Sequence, residues 1–158
     1  MDTGRCSVLL VDVELAQIDF ARLAAAAACP EVELAAVDGG DAALDWFEAG
    51  LNNLQQMPQI ILLDLKLPKL DGLAVLRKLR SHAVTSEIPV VVFSAEYTQD
   101  EVLMSYKAGA NTFVAKPVDV AGYAEIFQQR LSHWIHPQPH NPVTAATDGA
   151  MDGAAEPA

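Results

Sequence analysis

Apolar and polar positions fall in blocks along this chain rather than alternating residue by residue. Three segments are continuously apolar: Val8–Val11, Ile60–Leu63 and Val90–Phe93. Such runs suit strands buried on both faces, as a parallel sheet covered by helices requires. Two further segments are mixed, Val32-Glu33-Leu34-Ala35-Ala36-Val37 and Asn111-Thr112-Phe113-Val114-Ala115, which suits sheet borders. The pattern predicts central first, third and fourth strands flanked by the second and fifth. That is the order 2-1-3-4-5 of a flavodoxin-like α/β sheet.

Helical spacing fills the gaps. Phe20, Leu23, Ala24 and Ala27 keep it in a first helix that stops at Cys29-Pro30. Asp41 is placed to cap a second helix carrying Leu44, Phe47 and Leu51, which ends at either a last turn or a loop near Gly50-Leu51-Asn52-Asn53. Leu73, Leu76 and Leu79 serve a third, after a turn at Pro68 and Asp71-Gly72. Thr98-Gln99-Asp100-Glu101 is a capping-box pattern opening a fourth. Asp119 is placed to cap a fifth, with Tyr123, Phe127, Leu131 and Trp134 along one side. Strict alternation of strand and helix implies right-handed crossovers and a three-layer (βα)5 sandwich. From about His136 the chain turns to Pro, small residues and acids with no Lys or Arg. This predicts a folded domain over residues 1–135 and a disordered tail over 136–158.

Composition narrows the setting. A chain of 158 residues can bury a core of ordinary domain size, and no apolar run approaches the ~20 residues that span a bilayer. Met1–Arg5 leads straight into the first strand without a signal-peptide pattern, so a cytoplasmic location is expected. Net charge is −11, which argues against general affinity for nucleic acid or anionic membrane. Lys66, Lys69, Arg77, Lys78 and Arg80 cluster in sequence and read as a solvated loop and helix face. Cys6 and Cys29 are too few for a disulfide framework or metal knuckle and read as buried thiols. His82, His133, His136 and His140 have no metal-ligand partners at suitable spacing. Trp134 must pack on its own core or on a partner.

The candidate chemistry sits at strand ends. Asp12 follows Val11, Asp64 follows Leu63, Ser94 follows Phe93 and Lys116 follows Ala115. In a parallel sheet these four would converge in the crevice beyond the carboxyl ends, where open α/β folds collect ligands. With Leu67-Pro68, Asp71-Gly72, Val92-Phe93-Ser94-Ala95 and Lys116-Pro117, the chain resembles the receiver domain of two-component response regulators over roughly residues 7–135. The longer spacing before the third strand and the ending Leu131-Ser132-His133-Trp134-Ile135 are similar to the single-domain regulators of bacterial and cyanobacterial phytochrome kinases.

The resemblance implies a signalling protein rather than an enzyme. Asp64 would attack a phosphoryl group carried on a sensor-kinase histidine and become an acyl phosphate. Lys116 would neutralise one phosphoryl oxygen and Ser94 would donate a hydrogen bond to another. Phe113 matches an aromatic switch position, or is an ordinary apolar residue of an edge strand. The resemblance implies a cis Lys116–Pro117 bond, whereas sequence alone gives trans. Expected partners are a sensor histidine kinase, of phytochrome type by the narrower resemblance, and a second copy through the fourth and fifth helices. With no output domain expected after the fifth helix, signalling would pass through protein contacts.

Magnesium is where the chain departs from the family. The resemblance puts Mg²⁺ on an acidic pair after the first strand, on Asp64 and on the Lys66 backbone carbonyl. The pair falls at positions 12 and 13, but the chain reads Asp12-Val13-Glu14. Val13 in place of a carboxylate should weaken the site. Glu14 either reaches the metal or is a favourable charge in the first turn of the first helix. Lys66 and Glu96, each two residues beyond a strand-end group, either pair across the crevice or stay solvated. Val13 keeps a rival open: a pseudo-receiver that binds partners without phosphorylation. A haloacid-dehalogenase-like enzyme would need its Asp-x-Asp nucleophile after the first strand, and a flavin binder would need a hydroxyl- or glycine-rich phosphate loop there. Residues 12–17 supply neither.

Overall fold

The computed structural model describes residues 6–51, 53 and 57–131. Strands β1 (Cys6–Val11), β2 (Val32–Val37), β3 (Ile60–Asp64), β4 (Val90–Ser94) and β5 (Thr112–Ala115) form one parallel sheet in the order β2-β1-β3-β4-β5. Helices α1 (Leu15–Ala28), α2 (Gly40–Gly50), α3 (Gly72–Ser81), α4 (Gln99–Ala108) and α5 (Val120–Glu125) follow the strands in turn. The expected flavodoxin-like topology is the one observed. Its three central strands are the three continuously apolar runs. Trp134, His133, His136, His140 and the predicted tail lie outside the described residues.

Period-two geometry divides the central strands between two cores. Val8, Leu10, Ile60, Leu62, Val91 and Phe93 face α1 and α5, together with Tyr123, Phe127 and Leu131. Leu9, Val11, Ile61, Leu63, Val90 and Val92 face the other side, with Phe47, Val75, Leu76 and Leu79 from α2 and α3. A fully buried aliphatic side chain of this size contributes about 1.5–3 kcal/mol, so alternation on both faces fixes the register of every central strand.

Helix ends follow local chemistry. Asp71 accepts from Ala74 N–H and caps α3, and Asp119 accepts from Gly122 N–H and caps α5. Thr98 and Glu101 form the reciprocal capping box of α4. α4 stops at Gly109, whose φ of 116° suits a residue without Cβ. Gly72 is needed for close approach, because a Cβ there would lie 2.5 Å from the Asp64 carbonyl oxygen. The start of α3 therefore rests directly on the end of β3. α5 continues as a π-helical turn over Ile126–Arg130, and Leu131 beyond it is buried.

Three local expectations are corrected. Asp41 lies in the first turn of α2 instead of capping it; Gly39 holds the cap position. In α1 the buried face is Ile18, Ala21, Ala24 and Ala25, while Leu23 is 59% exposed. Apolar residues lie on every side of the helix, alongside Gln17, Asp19 and Arg22, so apolar spacing alone selects no face. Arg80 belongs to no solvated face. Its guanidinium donates to the carbonyls of Gly109, Thr85, Ser86 and Ile88 and to Asn111 Oδ1, at 2.8–3.3 Å. It clamps the α3–β4 connection to the α4–β5 turn.

Candidate functional site

Parallel register brings the strand ends together. Val11 lies beside Leu63, Asp64 beside Phe93, and Ser94 beside Ala115. The residues that follow, Asp12 and Lys116, therefore reach the same crevice. Asp12 and Ser94 are fully buried and Asp64 is 3% exposed.

Lys116 is the hub. Its Nζ lies 2.9 Å from Asp64 Oδ2, 2.9 Å from Glu14 Oε1 and 3.0 Å from Asp12 Oδ2. The contact with Asp12 is a short charge pair without hydrogen-bond alignment, so Asp12 Oδ2 is a buried acceptor without a donor. Both remaining aspartate oxygens are used: Asp12 Oδ1 accepts Glu14 N–H and Asp64 Oδ1 accepts Lys66 N–H, each at 3.0 Å. These bonds bend the chain just after β1 and β3 and fix each carboxylate over the sheet edge.

Electrostatics follow from this crowding. Burial pushes the Asp64 carboxyl above the usual carboxylate range; bonds from Lys116 and the Lys66 N–H only partly offset it, and Asp12 adds to the rise. Burial alone would lower Lys116, but its hydrogen bonds to Glu14 and Asp64 and its charge contact with Asp12 outweigh that and hold the ammonium above its ordinary value. Burial, followed by the Asp12 carboxylate, raises the Tyr123 phenol, which donates to Gln17 Oε1 at 2.7 Å.

Ser94 belongs to the same crevice, but its hydroxyl donates to the Glu96 carbonyl at 2.8 Å. Phe113 is half-buried against the α2–α3 core, its ring edge-on to Tyr97 at 4.8 Å, and its N–H donates to the Tyr106 hydroxyl at 3.2 Å. Lys66 pairs with Glu101 at 2.5 Å rather than with Glu96. The capping box located Glu101 in the sequence, but only one of its oxygens is used there, and nothing in the spacing marks the other as a partner for Lys66. No described peptide bond is cis, so Lys116–Pro117 is trans, the intrinsic preference of an X–Pro bond, and not cis as the resemblance implied.

The cation question turns on the donors present. Val13 packs against the α2–α3 core and offers none. Among the described residues no three His, Cys, Asp or Glu side chains converge as a metal cluster. Glu14 is spent on Lys116. The orphaned Asp12 Oδ2 beside Asp64 nevertheless fits a hard divalent ion completed by carbonyl and water oxygens.

Residues 8–128 match the family model of the response regulator receiver domain. The chain belongs to this family. Receiver domains are signalling modules that bind Mg²⁺, not enzymes. Among curated relatives it is 35% identical to response regulator Rcp1 of Synechocystis sp. over 78 residues, 49% of this chain and 53% of that one. It is 29% identical to the probable methanogenesis regulatory protein FilR2 of Methanothrix harundinacea over 96 residues, 61% and 62% of the two chains. The chain thus spans about half to three fifths of these relatives.

Solved receivers align over more of their length. The phosphorylated cyanobacterial phytochrome response regulator RcpA superposes with a TM-score of 0.75 at 28% identity, covering 85% of this chain and 97% of that one. The Mn²⁺-bound form of Rcp1 superposes at 0.72 with 26% identity, covering 86% and 99%. The bacteriophytochrome regulator AtBRR gives 0.63 at 29% identity, covering 78% and 91%. This receiver is thus related to single-domain phytochrome regulators.

Proposed function

We propose that this receiver accepts a phosphoryl group on Asp64 from the histidine of a sensor kinase, and signals through protein contacts. The observation that carries the reading is the 2.9 Å pairing of Asp64 with Lys116 at the carboxyl edge of the sheet, with Ser94 beside them. An Asp64 oxygen attacks phosphorus as the bond from phosphorus to the donor nitrogen breaks. Lys116 neutralises charge on the transferred group, and Ser94 supplies one hydrogen-bond donor. Asp12, Asp64 and the Lys66 carbonyl would hold Mg²⁺, which supplies further charge neutralisation when bound. Val13 leaves that set one anion short, so its affinity is weakened.

Partner surfaces support the same reading. Leu15, 73% exposed, directly follows Glu14 at the crevice mouth, and Leu23 is a second exposed leucine on α1, with Asp19 and Arg22 exposed between them. A helix of the donor kinase, of phytochrome type by kinship with RcpA and AtBRR, would pack there. Tyr97, Leu103 and Met104 expose apolar area on and before α4, and Val118 does so before α5, which suits a homodimer through these helices. Among the described residues no helix is long and apolar enough to cross a membrane. With the acidic charge, this supports action in the cytoplasm without nucleic acid.

Val13 favours one second reading, a pseudo-receiver that works without phosphate. Incubation of wild type with a small phosphodonor and Mg²⁺, followed by intact mass, separates the two. Gain of one phosphoryl group by wild type and none by Asp64→Asn supports the acceptor. Gain only after Val13→Asp supports the pseudo-receiver.

A further inference from the structure

Glu14 has no part in the reading above, yet it makes one of the three contacts to Lys116. We propose that its carboxylate is a displaceable internal anion, standing on Lys116 where a phosphoryl oxygen would stand and swinging to the N-terminus of α1 when the phosphoryl group arrives. The proposal rests on Asp64 being the acceptor.

An ammonium has three N–H donors; two of those of Lys116 go to Asp64 and Glu14 at 2.9 Å, and Asp12 Oδ2 lies 3.0 Å away as an unaligned charge contact. With three carboxylate oxygens within 3.0 Å of the ammonium, a phosphoryl oxygen bound to Asp64 competes for Lys116 with the other hydrogen-bonded anion, Glu14. Asp12 and Asp64 are buried, so removing either from the ammonium would strand a charge away from water. The Glu14 side chain is 61% exposed and returns to water at little cost. A phosphoryl group on Asp64 also adds negative charge beside Glu14 and drives it off.

The structure supplies the alternative position. Glu14 holds the cap site of α1 by backbone conformation, but its side chain accepts no N–H of the first turn, and that turn contains no acidic residue. Its own N–H is fixed to Asp12 Oδ1 at 3.0 Å, so the backbone stays in place while the side chain turns. Free N–H groups and the helix dipole favour a carboxylate there. Release from Lys116 therefore tightens the first turn of α1, beside exposed Leu15, and carries occupancy of Asp64 to that helix.

The test uses beryllium fluoride with Mg²⁺ as the phosphoryl probe on the full chain, comparing wild type with Glu14→Gln and Glu14→Ala. Both variants should bind the probe about two- to fivefold more tightly, the scale of an exposed ion pair. Mn²⁺ affinity should be unchanged. Amide signals of Ala16 and Gln17 should shift on probe binding in wild type and not in Glu14→Ala. Equal or weaker probe binding by the variants, with wild type binding normally, overturns the role of Glu14 alone. A loss of Mn²⁺ affinity of about tenfold in Glu14→Gln overturns it by making Glu14 a metal ligand. Failure of all three proteins to bind the probe removes the Asp64 reading and this proposal with it.

Discussion

Ser94 spends its single hydroxyl proton on the carbonyl of Glu96, 2.8 Å away. It cannot donate to a phosphoryl oxygen without giving that bond up. The released segment carries Tyr97, whose ring packs edge-on against Phe113. On the proposed phosphorylation, occupancy at Asp64 would thereby be linked to the β4–α4 connection. Ser94→Ala should destabilise the protein by about 1 kcal/mol. In the same variant, shifts induced by beryllium fluoride at the Tyr97 and Phe113 amides should disappear. Wild-type shifts in the variant would exclude Ser94 as the link.

Arg80 carries a stability prediction. Its guanidinium, whose proton affinity is lowered by burial, serves four carbonyls and one amide oxygen and, among the described residues, meets no carboxylate. Arg80→Ala leaves those acceptors without their shared donor and should cost about 2–4 kcal/mol in urea unfolding. Arg80→Lys should recover less than half of that, because one ammonium cannot span five acceptors. A lysine variant as stable as wild type would contradict the clamp.

Acid stability should report on Asp64. Its folded value lies above the ordinary one, chiefly through burial. Between about pH 4, where an unfolded aspartate titrates, and that raised value, the folded state holds a proton that the unfolded state has lost. Ionisation of Asp64 therefore removes stability as pH rises through the window. Asp64→Asn should be the more stable protein near neutrality, with its advantage shrinking on acidification. Urea midpoints measured across the acidic range check this; a variant less stable than wild type at neutral pH contradicts it.

Lys66 ties the loop after Asp64 to the first turn of α4 through Glu101, whose carboxyl is held below its usual range first by the bond to Lys66 and then by the Thr98 N–H. The pair rims a groove of about 440 Å³ lined by Leu65, Leu67, Pro68, Asp71 and Leu73. If it limits water access to Asp64, Lys66→Ala and Glu101→Gln should both shorten the acyl-phosphate lifetime, by about two- to fivefold. Decay of radiolabelled phosphoprotein measures it. Unchanged decay in both variants would show that the pair has no such effect.

The strand order and the four strand-end residues were legible because full burial leaves a plain signature, a run of hydrocarbon ending in a polar residue. The faces of α1 were not, since alanines and leucines lie on every side of the helix and only Asp19 and Arg22 mark its exterior. Arg80 looked solvated because its partners are backbone carbonyls, which no side-chain pattern records. The contact of Glu14 with Lys116 was equally hidden. It depends on the bend after β1, set by the Glu14 N–H bond to Asp12, between residues 102 apart in sequence.

Everything proposed for this receiver depends on Asp64 becoming the acyl phosphate. The most direct measurement treats the full chain with a small phosphodonor and Mg²⁺, reduces it with borohydride and sequences the peptides by mass spectrometry. Reduction converts an aspartyl phosphate to homoserine, so homoserine is expected at position 64 in wild type. Aspartate at 64 after treatment that phosphorylates a control receiver, or homoserine at another position, would contradict it.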